Sequence, residues 1–308
     1  MSSFRIAIAV ILTVLTPNLA TSAEMDDLYF VDAHSQLARG VDIKTIMPLM
    51  DQAGVWHTIL SAYSDRSPQE VAFFADEHPQ RLTAAIRSKG KDFRNNSQRF
   101  PKLLNLQLKN PTFRALAESM LFHARKANKP AEIVVKARSP QNQLLIDLAK
   151  ALHTPFVAHY EFGGARADKA RYIREFEVMV DSNKKVPFVL IHMGQLKADE
   201  ARLLIKAHPN VYFMMSHSNP LSIGKNTDQP WVNLFKNEKL APQWEALALE
   251  YPDRFILAFD SIGPKNWGKF YLDQAKLWRT ALKQLPNDVA QALAHGNAER
   301  LWNLPVKP

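Results

Sequence analysis

Four apolar runs of this chain each stop at a side chain that can bind a metal or move a proton: LYFVDAH (28–34), PFVAHYE (155–161), FVLIHMG (188–194) and FILAFDS (255–261). They reach His34, His159, His192 and Asp260. Each run is short and β-rich, and long amphipathic stretches separate them, the pattern of parallel strands joined by crossover helices. In a parallel barrel the strand C-termini lie together, so groups far apart in sequence assemble at one end. A single buried histidine carries little information. A matching set at four strand ends points to catalysis.

A second regularity sets the element order. EHPQRLTAAI (77–86), AHPNVYFMM (207–215) and YPDRFILAF (251–259) each carry a helical end, a proline that forbids continuation, a polar turn and an apolar strand. Strands are expected at 28–34, 55–61, 82–87, 132–137, 156–161, 187–192, 210–216 and 255–260. Helices are expected at 67–78, 139–152, 167–183 and 197–208. Ser67-Pro68 and Ser139-Pro140 open the first two, each a capping hydroxyl before proline at the first helical position. This alternation predicts an α/β chain with a single-domain (β/α)8 TIM barrel over residues 24–308. The rival, a doubly wound sheet, usually shows a glycine-rich phosphate loop after its first strand, and VDAHSQLARG has none. Two connections are long: 88–131, with a further helix expected at 113–128, and 217–254. Both leave the strands on the side of the site, where lids and specificity loops lie.

The first residues fall outside that pattern. Arg5, the apolar IAIAVILTVL and the small residues Thr21-Ser22-Ala23 follow the order of a secretory signal. Residues 1–23 are therefore read as a cleaved signal peptide, with the periplasm as destination. That apolar stretch is short for a bilayer span of about 20 residues, and no membrane contact is expected after cleavage. The absence of cysteine removes disulfides, thiolate nucleophiles and sulfur-ligated metal. The formal charge of +9, or +8 without Arg5, is spread along the chain and denser at RSKGKDFRNNSQRFPK (87–102). That segment lacks the interleaved aromatics of a nucleic-acid surface. It reads either as a solvated loop face or as a guide for a small anionic substrate.

Strand alternation puts Asp32, His34 and Gln36 on one face, and pairs Lys136 with Arg138 and His159 with Glu161. Imidazole and carboxylate donors together suit Zn²⁺, Mn²⁺ or Fe²⁺. VDAHSQ, HYE, LIHMG, AFDS and the terminal HGNAERLW, in that order over residues 28–304, resemble the amidohydrolase superfamily. The similarity is greatest to its amidohydrolase-related branch, which holds hydrolases, lactonases and non-oxidative decarboxylases. The resemblance implies one divalent ion, zinc before manganese or iron, with His34, Gln36, His159 and Asp260 as ligands. It also implies that His192 polarises the substrate and that Asp260 moves the proton. Where the family carries a second strand-one histidine this chain has Gln36, and a neutral amide is the weaker donor to a transition metal. A weaker metal site, metal-free activation of water by Asp260 and a degraded site kept for binding all follow from that exchange.

The expected reaction is hydrolysis of a small carboxylated lactone, ester or amide. A metal-dependent decarboxylase of the same branch and a non-catalytic periplasmic binding protein are the alternatives, and a homodimer is compatible with each. Lys136 and Arg138, helped by Arg87, are expected to bind a substrate carboxylate, with Glu161 and Trp267 as further substrate contacts. His57, His78, His123, His153, His208 and His295 read as packing, surface or helix-end residues, and His217 alone stays close enough to the mouth to keep.

Overall fold

The computed structural model describes residues 28–125, 132–224 and 229–308, so the signal-like segment lies outside the described residues. Strands β1 (Phe30–Leu37), β2 (Val55–Ala62), β3 (Leu82–Ile86) and β4 (Phe113–Leu116) form a parallel sheet in that order. A second sheet draws on β5 (Ser119–His123), β6 (Ile133–Val134), β7 (Phe156–Tyr160), β8 (Phe188–Leu190) and β9 (Val211–Met214). After the small hairpin of β10 (Phe235–Lys236) and β11 (Lys239–Leu240), β12 (Phe255–Ile256) completes it. Its order is β12-β9-β8-β7-β5-β6, and its pairs are parallel except β5 with β6.

The chain runs from one sheet into the other at the bend between β4 and β5, and backbone hydrogen bonds bridge the opposite gap. Ala117, in the bend between β4 and β5, donates to Ile86 O at 3.0 Å. On the other side Ala33 donates to Leu257 O (3.1 Å), Asp260 to His34 O (2.9 Å), Gln36 to Ser261 O (2.7 Å) and Ala38 to Ile262 O (3.0 Å).

The helices Pro68–Glu77, Pro140–Ala151, Lys169–Asp181 and Ala198–Ala207 form where the sequence places them. Pro68 and Pro140 sit in the first turn as expected, but the Ser67 and Ser139 hydroxyls make no cap bond. The proline joints behave alike: Leu82 N returns to His78 O at 2.9 Å and Val211 N to His208 O at 3.1 Å. Each starts a strand directly out of the turn.

The fourth strand is not where the sequence puts it. Residues 113–123, expected as helix, supply β4 and β5, while 132–137 holds only the two-residue β6 at a sheet edge. Ala, Leu, Glu and Met favour helix in isolation. Here residues 115–122 are buried throughout, and a run buried on both faces carries no period that separates strand from helix.

Alternation splits the core in two. Every parallel strand except β5 contributes to an inner cluster that runs from Val31 and Ala33 through Ala117, in the bend before β5, and Val157 to Ile256 and Ala258. Leu301, Trp302 and Leu304 of the C-terminal segment pack against it. The opposite faces meet the helices in a larger cluster that includes Phe30, Phe176 and Trp278. In β1 a register shift between Asp32 and Ser35 breaks the alternation, as a bulge does. Asp32 is thereby separated from His34 and Gln36: it accepts from Ser35 Oγ (2.6 Å) and Phe259 N (2.9 Å) and ties the two strand ends together. Burial pushes its carboxyl up to about 7, against the pull of these donors.

Candidate active site

A cleft of about 430 Å³ opens at the C-terminal ends of the parallel strands. Its floor carries Glu118, His123, His159, His192, His217 and Asp260. One wall comes from Arg87, Lys89 and the short helix Lys91–Arg94, so four cations face six metal-type or acid-base groups. A larger groove of about 610 Å³ near Gln52, Arg81 and Arg279 is lined by one carboxylate, Asp51, and no histidine; chemistry, rather than size, identifies the site.

Asp260 stands at the centre of the floor. Its Oδ1 accepts from Gln36 Nε2 at 3.1 Å and lies 3.6 Å from His34 Nε2. Its Oδ2 lies 3.6 Å from both His192 Nε2 and His217 Nε2. These two imidazoles stack at 4.5 Å, only 9° from parallel. The Trp231 ring stands edge-on to both, at 5.4 and 5.5 Å.

Glu118 organises the opposite half. Ser88 Oγ bonds the carbonyls of Ala117 (3.0 Å) and Glu118 (2.9 Å), which pins the bend between β4 and β5. The Glu118 carboxylate then receives His159 Nδ1 at 2.6 Å, Gln36 Nε2 at 3.3 Å and the Lys89 ammonium. Burial alone would raise this carboxyl, but Lys89, His159 and His34 outweigh it and hold it well below the usual range. His159 answers in kind: burial disfavours its charge, yet Glu118 and Glu161 raise it above the usual imidazole value. Its Nε2 lies 3.2 Å from Glu161 Oε1, and Glu161 Oε2 accepts from Ala124 N at 2.7 Å.

The structure thus gathers His34, Gln36, His159, Glu161, His192 and Asp260 in one region, His159 joining the rest through Glu118. It does not gather Lys136, Arg138 or Trp267. Lys136 and Arg138 are exposed beside a separate shallow groove, because their segment is not the fourth parallel strand. Trp267 is buried, stacked on Tyr271, with its indole N–H donating to Gln36 O at 3.0 Å; it supports β1 from beneath. Glu118 and Lys89 were not singled out from sequence, His123 was read as a packing or surface residue of a helix, and Trp231 as a loop aromatic that clamps its loop to the barrel. Only the dense charge at 87–102 pointed toward the cationic wall.

Among the described residues two donor groups are spaced to share an ion: His192 with His217 and Asp260, and His123 with His159 and Glu161, the ligand atoms of each lying within 4.8 Å of one another. Imidazole and carboxylate sets of this kind fit a divalent transition metal. Gln36 does not present a ligand oxygen to the floor. Its amide nitrogen faces Asp260 and Glu118, and among the described residues its buried Oε1 has no hydrogen-bond partner.

Residues 31–304 match the model of a family described as amidohydrolase. No curated protein matches the chain. Among solved structures, an amidohydrolase from Burkholderia multivorans with bound zinc is 14% identical, with a TM-score of 0.53 over 90% of this chain and 100% of that one. A probable 2-pyrone-4,6-dicarboxylic acid hydrolase from Acinetobacter baumannii, solved with citric acid bound, is 12% identical, with a TM-score of 0.54 over 89% and 99%. A 4-oxalomesaconate hydratase from Rhodopseudomonas palustris is 12% identical, with a TM-score of 0.55 over 89% and 95%. Likeness at these identities is likeness of fold.

Proposed function

This chain belongs to the amidohydrolase family of enzymes, and from that premise we propose that it hydrolyses a small carboxylated lactone, ester or amide in the cleft above Asp260. The observation that carries the reading is one carboxylate, Asp260, ringed by His34, His192 and His217 beneath a wall of four cations. The bridged edges of the two sheets support an eight-stranded (β/α)8 barrel as the frame. The signal-like residues 1–23 extend the proposal to a periplasmic enzyme.

Arg87, Lys91 and Arg94 bind the substrate carboxylate, a task that sequence reading gives to Lys136 and Arg138 with help from Arg87. Burial lowers the Arg87 pKa, and its guanidinium contacts Ser64 O, which fixes its direction. Lys89 is committed to Glu118 and stands 5.1 Å over the Tyr63 ring, so it sets the floor's charge more than it binds substrate. A divalent ion held on this floor by Asp260 and neighbouring imidazoles would polarise the scissile carbonyl and acidify water. Asp260 takes the proton from the attacking water and returns it to the leaving group. Trp231 closes the side of the cleft next to His192 and His217, and limits water there.

The test is a screen of mono- and dicarboxylated lactones, esters and amides with wild type and Asp260→Asn. Turnover should fall about 10²–10⁴-fold in the variant, the usual worth of a positioned acid-base group. Undiminished turnover in Asp260→Asn would refute this mechanism. Release of CO₂ from a carboxylated substrate without uptake of water would assign a decarboxylase instead.

A further inference from the structure

We propose that the shallow groove beside the cleft is a second binding site, for the phosphate group of a small molecule, formed by Arg94, Lys136 and Arg138 at the start of the helix Pro140–Ala151. The site lies outside the cleft and stands whether or not the cleft hydrolyses its substrate.

The groove has a volume of about 390 Å³. Two segments supply its cations: Arg94 ends the short helix Lys91–Arg94, and Lys136 and Arg138 belong to the turn between β6 and the helix Pro140–Ala151. All three residues are exposed, and among the described residues no carboxylate lines the groove. Like charges gathered without a counter-charge repel, and a bound dianion turns that repulsion into attraction. Two guanidinium forks and an ammonium match the several acceptor oxygens of a phosphate. A lone carboxylate brings one charge and two oxygens, and satisfies fewer of them.

Buried amides hold this arrangement. Asn142 is fully buried; its Nδ2 donates to Lys136 O at 3.0 Å and its Oδ1 accepts from Ser119 Oγ at 2.8 Å. Lys136 O also accepts from Ser139 N at 3.0 Å, so the turn that carries both cations is closed and anchored on β5. Gln141, only 5% exposed, donates from Nε2 to Phe93 O at 3.2 Å and ties the helix start to the element that bears Arg94. The packed interior therefore sets where the three cations leave the backbone.

The helix contributes its own positive end, where anions bind. Pro140 has no N–H, and Ser139 stands at the capping position with extended backbone, yet its hydroxyl makes no cap bond. The N–H groups of Gln141 and Asn142 thus receive no side-chain cap. Two more polar atoms at this edge, Ser139 Oγ and Gln141 Oε1, are buried without hydrogen-bond partners among the described residues. Such atoms are uncommon in a finished interior, and a ligand with its bound water completes them.

The groove and the cleft share a wall. Arg94 lines both, while Ile133 faces the cleft and its neighbour Val134 the groove. One guanidinium cannot serve two anions fully, so an occupied groove draws a cation from the cleft.

The deciding experiment follows the backbone amide resonances of Gln141 and Asn142 while the protein is titrated with inorganic phosphate at constant ionic strength. Both should shift and saturate, with phosphate binding about tenfold or more tighter than acetate. The double variant Lys136→Gln, Arg138→Gln should weaken this binding about tenfold or more, the usual worth of hydrogen bonds to charged groups. Arg94→Gln should weaken it as well. Arg87→Gln, in the cleft, should stay within about threefold of wild type, which separates the groove from phosphate entering the cleft. Circular dichroism checks that each variant is folded. Saturable shifts that survive in the double variant, or that vanish in Arg87→Gln instead, overturn the proposal. So does a response that never saturates, or equal binding of phosphate and acetate.

Discussion

Gln36 shows what a single residue type reveals and what it hides. Its identity marks a departure at strand one, but the direction of its amide depends on Glu118, which lies 82 positions away and joins it only through the fold. The orphaned Oε1 costs about 1–3 kcal/mol, evidence that the nitrogen is needed where it is. His57 is the contrasting case, read as structural from sequence and placed accordingly. It is fully buried, with Nδ1 donating to Gln80 O and Nε2 facing Thr83 Oγ1, both at 2.9 Å. Burial, more than any neighbour, pushes its pKa down to about 4. An unfolded chain protonates this residue below about 6.5, so its contribution is intact above that pH and is lost as pH falls toward 4. The loss amounts to about 3 kcal/mol at ~1.4 kcal/mol per unit. Urea unfolding at pH 7 and pH 4.5 should show His57→Gln losing markedly less stability than wild type over this window. Equal losses would mean that His57 is charged in the fold.

Elements were legible where their outer face is polar. The helices Lys169–Asp181 and Ala198–Ala207 bury one side and expose the other, and the proline joints mark their ends. Segment 113–123 offers no such contrast, so Glu118 was hidden inside an apparent helix and His123 was discounted with it. His217 lies just past β9, where a strained turn, invisible in residue types, brings it back over the floor. The helix Lys91–Arg94 is too short for periodicity to announce, yet it sets two cations on the cleft wall. Replacing Lys91 and Arg94 together by alanine should raise KM for a dicarboxylated substrate about tenfold or more, ~1.4 kcal/mol, with kcat within threefold. A fall in kcat at constant KM would place these cations at the reacting bond instead.

At the scale of the whole molecule, the alternating strands predicted a barrel, and the paired sheets with family membership support that architecture. The part not foreseen is the lower seal. Leu301, Trp302 and Leu304 pack on the inner cluster opposite the cleft, and Trp302 is only 7% exposed. Trp302→Ala should lower unfolding stability by about 3–5 kcal/mol in urea unfolding; a shift under 1 kcal/mol would show that the seal is loose. That seal also governs the order of events in time. Val31 and Leu304 belong to one cluster, so part of the packing around the first strand comes from residues that are synthesised long after it. Contacts of such long sequence separation slow folding. The inner face of that strand, although β2 can pair its edge early, therefore stays open at the lower end until the C-terminal segment arrives.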